Sequence, residues 1–534
     1  MIVRLLSGAL AGVEARPVEV EVDYTRQGLP GFSLVGLPET EVREARDRVF
    51  AALRASGFRL PPGRVTVNLA PAGQRKSGAG YDLPLALGLL AAAGLVPAER
   101  AERHIFTGEL SLSGGLRPVR GVLALALLAR ELRARGRVDG LVAPPGNAAE
   151  AAVVADLPVF APESLAACAA FLAGEDAAAA VPAPLTPAPA PAIPDFAEVK
   201  GQEAAKRALE IAAAGGHNIL LVGPPGSGKT MLARRLPGIL PPLSFEEALD
   251  VTRILSVAGL LPPDSGLVRE RPFRAPHHTV SDVALVGGGR TPRPGEVSLA
   301  HRGVLFLDEL PEFPRAALEA LRQPLEDGAV TVSRAAGNHT YPARFILAAA
   351  MNPCPCGHYG DGSRSCTCRP EEVARYRRRL SGPLLDRIDL HVDAPQVSYA
   401  EFRTGSAAAP ERWSTAAMRG RVLAARAAQQ ARHEAFLAEE GTAQAQGRPG
   451  GARDAGPALN AALSGPELER HCALDAGGHA LMEAAMDRLG LSARACTRIL
   501  RVARTIADLE GAGAIGETHL AEAVGLRILD RQGG

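Results

Sequence analysis

The chain has 534 residues, and its 59 Lys and Arg nearly balance its 58 Asp and Glu, so no global positive field attracts nucleic acid. A hydrophobic content of 47% is enough for packed cores, and the length predicts roughly three domains. The longest apolar run, residues 83–96, is interrupted by proline and glycine and is too short to cross a bilayer, so we expect no membrane partner.

Residues 1–176 predict a compact α/β domain in which strands alternate with Ala- and Leu-rich helices. The predicted strands are 18–23, 65–70 and 105–112, and the predicted helices are 40–56, 82–95 and 121–135. The first ten residues faintly resemble a signal peptide, but they are short and run into strand-like alternation. Seven cysteines, four of them clustered, suit a reducing compartment, and we expect a cytoplasmic protein.

Three further regions follow along the chain. A Pro/Ala tract at residues 177–194 has no means of building a core and predicts a semi-extended linker. Residues 195–397 predict a nucleotide-binding domain of alternating strands and helices. Residues 398–534 predict a helical C-terminal domain, and its polar Gly/Ala/Gln-rich interval near 440–456 is expected to be a mobile loop.

A phosphate-binding motif, G-x-x-x-x-G-K-[ST], lies between a short apolar strand and the start of a helix. In such a loop the backbone N–H groups surround phosphates, Lys229 reaches the β and γ oxygens, and Thr230 ligates Mg²⁺. A chance glycine-rich turn is the alternative, but lysine is scarce in this chain and the flanking elements are those that the motif requires. We therefore expect ATP and Mg²⁺ as cofactors. The loop residues are Gly223, Pro224, Pro225, Gly226, Ser227, Gly228, Lys229 and Thr230.

Two further strand patterns end in polar residues of the kind that an ATPase needs. Residues 304–307 lead into Asp308, which is suited to hold Mg²⁺ through water, and Glu309, which is suited to polarise the attacking water. A strand followed by an acidic helix cap would give the same pattern. The strand 345–351 ends in Asn352, whose side chain can sense the γ-phosphate or orient water.

Two arginines are candidates for contacts with the γ-phosphate. Arg387 follows Ser381-Gly382-Pro383 and lies between two acids, where an arginine can reach a neighbouring subunit's nucleotide. A surface salt bridge with Asp386 is the alternative. Arg494 lies in the first turn of a helix that Ser492 is predicted to cap, and it can return to the γ-phosphate.

A cluster of four thiols occupies the loop 354–368. Four thiolates make a closed tetrahedral site for Zn²⁺, although the C-x-C spacing is tighter than the usual C-x₂-C. A free-thiol loop and a redox pair are the alternatives. Zinc is favoured because this glycine-rich loop holds little apolar material that would order it otherwise. The candidate ligands are Cys354, Cys356, Cys366 and Cys368.

Six segments closely resemble the ComM/YifB group of Mg-chelatase-like AAA+ ATPases, and the resemblance spans nearly the whole chain. They are residues 195–230, 273–289, 304–313, 349–361, 380–392 and 491–509. The resemblance implies an AAA+ P-loop module with a helical lid, a homo-hexameric ring, and a DNA motor for branch migration in homologous recombination and natural transformation. It marks residues 223–230 as Walker A, Asp308 and Glu309 as Walker B, Asn352 as sensor 1, Arg387 as an arginine finger acting in trans, and Arg494 as sensor 2.

Two segments are candidates for DNA contacts. Residues 329–341 predict a β-hairpin of the kind that AAA+ motors of this group aim into the ring pore. Its Arg334, His339 and Tyr341 can touch phosphates or stack on bases, although solvent-exposed polar residues on a hairpin are an equally good interpretation. The densest basic cluster is a second candidate, or else a solvated helix face. It consists of Arg375, Arg377, Arg378 and Arg379.

The first domain resembles the Lon protease fold at residues 106–110 and 115–121. Lon proteolysis needs a Ser nucleophile and a Lys base within hydrogen-bond reach, and the sequence has no lysine between Lys76 and Lys200. Ser77 is adjacent to Lys76, but neighbouring side chains point apart on an extended segment. We therefore expect a Lon-like domain without proteolytic activity.

Three functions are compatible with an AAA+ module: a motor on DNA, a chelatase subunit that inserts Mg²⁺ into a porphyrin, and an ATP-dependent protease or protein-remodelling factor. The first domain and the cysteine loop argue against the chelatase, because neither is expected in its motor subunit. The missing Ser–Lys dyad weakens the protease. The favoured partner is therefore branched or single-stranded DNA.

Overall fold

The computed structural model describes residues 2–27, 29–174, 193–262, 265–289, 292–334, 337–360, 364–397, 399, 411–444, 459–527 and 529. The predicted linker 177–194 lies outside these residues except for its last two positions. The predicted mobile loop near 440–456 lies outside them from residue 445 onward.

The first domain alternates strands and helices, as the sequence predicts. Its elements are β1 (Ile2–Ala11), β2 (Glu14–Thr25), β3 (Gly31–Val35), α1 (Thr40–Arg43), α2 (Ala45–Ala55), β4 (Arg64–Ala70), α3 (Asp82–Ala92), α4 (Ala98–Ala101), β5 (His104–Phe106), β6 (Glu109–Leu110), β7 (Leu116–Arg117), α5 (Val122–Ala134), β8 (Gly140–Val142), α6 (Pro145–Ala151), β9 (Val159–Phe160) and α7 (Leu165–Ala173).

The sheet of this domain has the strand order β3-β4-β2-β1-β5-β8-β9. The segment that faintly resembles a signal peptide forms strand β1 from Ile2 onward, and β1 pairs antiparallel with β2 from Ile2 opposite Asp23 to Ala11 opposite Glu14. Two other predicted elements are interrupted. The predicted helix 40–56 is divided at Glu44, and the predicted strand 105–112 leaves the sheet after Phe106, where the Gly108 N–H donates to the Gly80 carbonyl at 3.0 Å.

The second domain also alternates strands and helices. Its elements are α8 (Glu203–Gly215), β10 (Ile219–Val222), α9 (Lys229–Ala233), α10 (Leu236–Ile239), α11 (Phe245–Ala258), β11 (Phe273–Arg274), α12 (Asp282–Val286), β12 (Gly287–Gly288), β13 (Arg293–Pro294), α13 (Glu296–Leu299), β14 (Val304–Leu307), α14 (Arg315–Ala320), α15 (Arg322–Asp327), β15 (Ala329–Arg334), β16 (Gly337–Pro342), β17 (Ile346–Met351), α16 (Pro370–Arg377), α17 (Gly382–Leu385) and β18 (Leu390–Asp393).

The central sheet of the second domain is parallel, with the strand order β11-β14-β17-β10-β18. Strands β10, β14 and β17 are short apolar runs buried on both faces, as expected when helices cover a parallel sheet. Because the strands are parallel, the residues that follow β10, β14 and β17 meet at one edge, where α/β sheets bind ligands. Strands β15 and β16 form a separate antiparallel hairpin, as predicted.

The C-terminal region is helical, as predicted, and packs on the second domain. Its helices are α18 (Thr415–Gln444), α19 (Gly465–His471), α20 (Ala476–Leu489), α21 (Ala493–Leu509) and α22 (Glu517–Gly525). Residues of α18 and α21, such as Val422 and Ile506, share one hydrophobic core with α8 and with one face of the parallel sheet. None of the described helices combines the length and apolar content that a bilayer span requires.

The first and second domains also share packed surfaces. The Gly121 N–H at the start of α5 donates to the Ser256 carbonyl of α11 at 3.1 Å, and Leu249 of α11 packs on the core of the first domain. Val13, in the turn between β1 and β2, is buried in the core that includes the hairpin β15–β16. The first domain therefore braces both α11 and the hairpin.

Candidate nucleotide-binding site

The phosphate loop connects β10 to α9. Gly223 passes so close to the neighbouring chain that a Cβ there would lie 2.1 Å from the Ala394 carbonyl oxygen. Gly228 has φ +90°, a left-handed conformation that glycine adopts without a steric penalty, and it starts the helix. The predicted loop thus has the backbone shape of a strand–turn–helix phosphate site, with the amino terminus of α9 pointing into the loop.

Lys229 is 8% exposed, and its ammonium group lies inside the loop. Its Nζ donates to the Gly223 carbonyl at 2.7 Å and to the Pro224 carbonyl at 2.8 Å. The same nitrogen is 3.4 Å from Oδ1 of Asn352 at the end of β17. Burial lowers the pKa of Lys229, and the negative charge of Asp308 opposes that shift. The structure therefore brings the phosphate-loop lysine and the predicted sensor together.

The two predicted Mg²⁺ residues are in direct contact. The Thr230 hydroxyl donates to Oδ2 of Asp308 at 2.6 Å. A hydroxyl oxygen and a carboxylate oxygen at this separation suit Mg²⁺, which prefers oxygen ligands and keeps several waters when it binds next to phosphates. This donor set fits the predicted cofactor.

Glu309 follows Asp308 in a left-handed conformation, with φ +53°. Its backbone N–H donates to Oδ1 of Asp308 at 3.0 Å, while its side chain is 56% exposed. The Glu309 carboxylate lies 3.3 Å from Nδ1 of His278, in the segment after β11. The carboxyl group thus extends away from the sheet and has a histidine partner.

His278 is the residue of this site to which the sequence analysis assigned no role. It lies in Pro276-His277-His278-Thr279, within a segment that carried the family resemblance, and the His277 and His278 ring centroids are 4.0 Å apart. A signal was present, because two adjacent histidines follow β11 after two intervening residues. Only the sheet order, which makes β11 the neighbour of β14, connects them with Glu309.

Arg387 lies at the opposite edge of the sheet from the phosphate loop of its own chain. It precedes β18, whose first residue pairs with Ile219 at the beginning of β10, whereas the loop follows the end of β10. Its side chain is 6% exposed, forms an ion pair with Glu326 and donates to the Pro383 carbonyl at 2.5 Å. The alternative interpretation of the sequence was a salt bridge between Arg387 and Asp386. The structure instead pairs Arg387 with Glu326.

Arg494 is exposed in the first turn of α21. The Ser492 hydroxyl accepts from the Ala495 N–H at 3.2 Å, so the predicted helix cap is present. Within the described residues, no hydrogen bond or ion pair joins Arg494 to the phosphate loop. One turn further along α21, Arg498 forms an ion pair with Asp389, which immediately precedes β18.

The four thiols of the cysteine loop converge. The Sγ atoms of Cys354 and Cys356 are 3.4 Å apart, and that of Cys366 lies 3.7 and 3.6 Å from them. All four sulfur atoms, including that of Cys368, lie within 4.8 Å of one another. The N–H groups of His358 and Thr367 lower the pKa of Cys356, whereas burial and the neighbouring thiols raise the pKa of Cys366 and of Cys368, so the convergence of the sulfur atoms, and not their pKa values, indicates a metal site.

The hairpin residues predicted to touch DNA differ in their surroundings, and for Tyr341 the prediction is wrong. Tyr341 is 1% exposed, and its hydroxyl donates to the Pro292 carbonyl at 2.9 Å, so its ring cannot stack on a base. His339 is half-buried; burial and the nearby Arg16 of the first domain lower its pKa. The side chain of Arg334 lies outside the described residues.

The arginine cluster at the end of α16 is partly committed to contacts within the chain. Arg379 forms an ion pair with Glu312 at 2.7 Å, and the Arg377 guanidinium lies 5.2 Å from the centroid of the Tyr359 ring. Arg375 and Arg378 are exposed, and neither forms an ion pair within the described residues. Only these two therefore present an open basic surface.

Family models match the chain in three stretches. The model described as magnesium chelatase, subunit ChlI, matches residues 195–402, and the model of the C-terminal part of the same subunit matches residues 412–527. A third model, described as subunit ChlI of Mg-chelatase, matches residues 18–147. The first domain therefore matches a model described as part of the chelatase subunit, contrary to the expectation that this domain is foreign to that subunit.

Full-length relatives decide between the groups within this family. The chain is 46% identical over 525 residues to the uncharacterized protein YifB of Salmonella typhimurium, which covers 98% of this chain and 96% of that protein. It is 43% identical over 532 residues to the competence protein ComM of Haemophilus influenzae, which covers 98% and 97%. The chain belongs to the ComM/YifB family of Mg-chelatase-like AAA+ proteins. The 38 kDa magnesium-chelatase subunit of Cereibacter sphaeroides is more distant, at 26% identity over 63% of this chain and 91% of that subunit.

Membership in the ComM/YifB family and the geometry at the sheet edge agree. A Mg-chelatase-like AAA+ module indicates an ATPase that uses ATP and Mg²⁺. The contact between Thr230 and Asp308, with Lys229 and Asn352 beside it, lies at the end of the strands where parallel α/β sheets bind ligands.

Proposed function

We propose that this chain is an ATP-driven ring motor that moves branched DNA in homologous recombination and natural transformation. The observation that carries the proposal is the hydrogen bond from Thr230 to Asp308, because it joins the two halves of a Mg²⁺·ATP site in a chain related end to end to a competence protein. In this proposal a single chain supplies the residues for hydrolysis except for the arginine finger, which a neighbouring subunit contributes.

The proposed roles follow from position. Lys229 binds the β- and γ-phosphates, Thr230 and Asp308 hold Mg²⁺, which neutralises the developing phosphate charge, and Glu309 polarises the attacking water. Asn352 is 3.4 Å from the Lys229 amine, and it is suited to report the γ-phosphate because both side chains reach the same place. His278 orients the Glu309 carboxylate.

A ring follows from the location of Arg387. An arginine at the edge of the sheet opposite its own phosphate loop is remote from its own nucleotide, and a neighbouring subunit can bring a second phosphate loop to that edge. We propose that Arg387 exchanges its ion pair with Glu326 for the neighbour's γ-phosphate. The assembly is then a homo-hexamer, as in the family resemblance, and Arg494 of the helical lid reaches the nucleotide when the lid closes.

Two exposed arginines, Arg375 and Arg378, supply the proposed DNA surface, with His339 and Arg334 of the hairpin beside the pore. Since the net charge of the chain is only +1, phosphate contacts are local and DNA binding is expected to be salt-sensitive. The double substitution Arg375→Ala/Arg378→Ala should weaken DNA binding and reduce the salt dependence, with basal hydrolysis unchanged. Arg54→Ala/Arg59→Ala, which removes two exposed arginines of the first domain, is the matched control.

The decisive experiment measures ATP hydrolysis with no DNA, single-stranded DNA, duplex DNA and a four-way junction, together with dissociation of the junction by fluorescence. We expect stimulation by DNA and ATP-dependent junction dissociation. Glu309→Gln should bind ATP and fail in both assays. An ATPase that no DNA stimulates and that leaves the junction intact would favour a tetrapyrrole- or protein-directed motor instead.

We extend the proposal to the rest of the chain. The first domain, residues 1–176, is a Lon-like domain without proteolysis: Lys76 is buried while Ser77 is exposed, so the adjacent pair cannot act as a dyad. The motor domain is 195–397 and the lid 398–534, joined to the first domain by the linker 177–194. ATP and reduced thiols suit the cytoplasm.

We also propose that Cys354, Cys356, Cys366 and Cys368 hold one Zn²⁺ per chain. Four sulfur atoms within 4.8 Å of one another need little rearrangement to surround one ion. Metal analysis of purified protein beside a Cys366→Ser/Cys368→Ser variant tests this, and a metal-free, folded and active wild type would contradict it.

A further inference from the structure

The cysteine loop lies directly against the nucleotide site. Cys354 follows the sensor Asn352 by two residues, at the end of β17. On the other side of the thiol cluster, Gly357 abuts the phosphate loop: a Cβ added there would lie 2.5 Å from Cδ and 2.8 Å from Cγ of Pro225. One short loop therefore connects the sensor Asn352 to the phosphate loop that contains Lys229.

The far side of the loop is anchored on α16. The Tyr359 N–H donates to the Cys354 sulfur at 3.3 Å, and the Tyr359 ring lies 5.2 Å from the guanidinium of Arg377. Tyr376, on the same helix, is buried, and the backbone amide of Asn352 lies against its hydroxyl. The thiol cluster is thus the junction between α16, the sensor and the phosphate loop.

We propose that the metal held by the four thiolates is a positioning element for ATP hydrolysis, because it fixes Gly357 against Pro225 and holds Asn352 at Lys229. The inference rests on the proposed ATPase activity and on the zinc site, and it goes beyond both by assigning the metal a task in turnover. Without the metal, the four thiols no longer hold the two ends of the loop together, and the phosphate loop loses the support of Gly357. A displacement of about 1 Å in a catalytic group can cost roughly 100-fold in rate.

Two glycines of the same loop provide a matched pair of variants. Gly357 has φ +85° and Gly360 has φ +77°, so an alanine at either position meets similar backbone strain. Among the described residues, a Cβ at Gly360 has no atom within 4 Å, whereas a Cβ at Gly357 collides with Pro225. A difference between Gly357→Ala and Gly360→Ala therefore reports the contact with the phosphate loop.

The experiment uses the full chain and measures zinc per chain, the Kd of a fluorescent ATP analogue, and kcat and KM of hydrolysis. We expect both variants to retain one zinc. Gly357→Ala should lose about 10-fold or more in kcat, whereas Gly360→Ala stays within about 2-fold of wild type. Shortening the other partner, in the double variant Gly357→Ala/Pro225→Ala, should recover part of the loss. Removal of zinc from wild type by a thiol-specific mercurial, followed by a chelator, should reproduce the Gly357→Ala defect.

The outcomes distinguish the positioning role of the metal, the zinc site itself and the proposed motor. Equal kcat and equal Kd in the two glycine variants, with zinc bound, would refute the positioning role and leave the zinc site standing. A wild type without metal would refute the zinc site. A wild type that binds ATP without hydrolysing it would refute the proposed motor, and the Kd values of the glycine variants would still decide whether the loop supports nucleotide binding.

Discussion

Lys76 and Lys229 are both buried against backbone carbonyls, one in each α/β domain; a third lysine, Lys206 of the second domain, is buried in the same way and donates to the Val199 carbonyl at 2.6 Å. Lys76 of the first domain is 0% exposed and donates to the carbonyls of Gly36 and Pro71. Lys229 of the second domain is 8% exposed and donates to the carbonyls of Gly223 and Pro224. Burial lowers the pKa of both amines. By burial, partner type and pKa direction the two lysines are alike.

Their surroundings separate them. Lys229 lies beside the Asn352 amide and next to the hydroxyl–carboxylate pair of Thr230 and Asp308, and its loop opens a helix whose amino terminus attracts anions. Lys76 has carbonyl partners that fix two loops to each other, and its neighbour Ser77 points to solvent. A buried amine is therefore not a functional signal by itself. The groups around it and an approach path for a ligand decide its role.

If chemistry belongs to the second domain and is completed by a neighbour, Arg387→Ala should have the largest effect. We expect hydrolysis to fall by about 10³-fold or more with ATP binding retained, because an arginine finger stabilises the transition state. Glu326 is 55% exposed, so no charge is left buried in the variant. Mixed rings of Arg387→Ala and Lys229→Ala subunits should regain activity, measured as ATPase rate against mixing ratio.

Arg322→Ala removes a more exposed ion pair, with Glu319 at 3.1 Å, and is the control on the same helix as Glu326. Its ATPase rate should stay near that of wild type. Absence of recovery at every mixing ratio would mean that Arg387 acts within its own chain.

The two lysines can be compared directly. Lys229→Ala should weaken ATP binding by about 100-fold, because a desolvated charge-assisted contact is lost. Lys76→Met should leave ATP affinity unchanged and lower stability by about 1–3 kcal/mol, since two buried carbonyls lose their donor. Fluorescent nucleotide titration and urea unfolding measure the two effects. Weaker ATP binding in Lys76→Met would mean that the first domain affects the nucleotide site, and it would contradict the expected difference between the two lysines.

A smaller effect is expected from the histidine beside Glu309. His278→Ala should lower kcat by about 10-fold with KM unchanged, because Glu309 loses the partner that orients it. His277→Ala is the matched control, since the Nδ1 of His277 lies 3.0 Å from the Thr279 hydroxyl within its own loop. Equal kcat in the two variants would exclude a specific role of His278.

The first domain has a strongly perturbed carboxyl without a catalytic setting. Glu150 of α6 is buried and accepts from the Asn147 amide at 2.9 Å, and burial raises its pKa to about 7. The folded state therefore keeps a proton that the unfolded state loses above its ordinary pKa near 4.5, so stability falls as pH rises from about 4.5 to 7.

Between pH 5 and pH 8, wild type should lose about 2–3 kcal/mol more stability than Glu150→Gln, measured by urea unfolding. The ATPase rates of the two proteins should have the same pH profile. A pH profile of hydrolysis that changes in Glu150→Gln would connect this carboxyl to the motor.

The sequence predicts contiguous motifs of this protein better than contacts between residues that are far apart in the chain. The phosphate loop, the acids after β14 and the polar tip of β17 are recognisable because each motif is contiguous and follows a buried strand. The parallel sheet then brings them together by the rule that strand ends meet at one edge. The cysteine cluster is recognisable for the same reason, because its four thiols lie in one loop and converge within it.

Sequence alone could not predict which side chains of an exposed-looking segment are buried. Tyr341 alternates with polar residues on the hairpin, which is compatible with a ring that faces a pore. In the structure, Val13 of the first domain lies in the same core, and the Pro292 carbonyl accepts from the Tyr341 hydroxyl. The partner of Arg387 was also unpredictable, because Glu326 lies 61 residues away while Asp386 is adjacent. Strand β1 depends on pairing with β2, which its apolar composition does not reveal.

The local motifs were thus decided by the sequence: a phosphate loop, a hydroxyl–carboxylate pair and a thiol cluster, all in short segments whose backbone context is set by neighbouring residues. The tertiary structure alone decided the pairing of Glu309 with His278, the close contact of Gly357 with Pro225, and the separation of Arg387 from its own phosphate loop. The physical reason is that strand order and loop packing depend on contacts between residues far apart in the chain, and no local pattern encodes which of those contacts form.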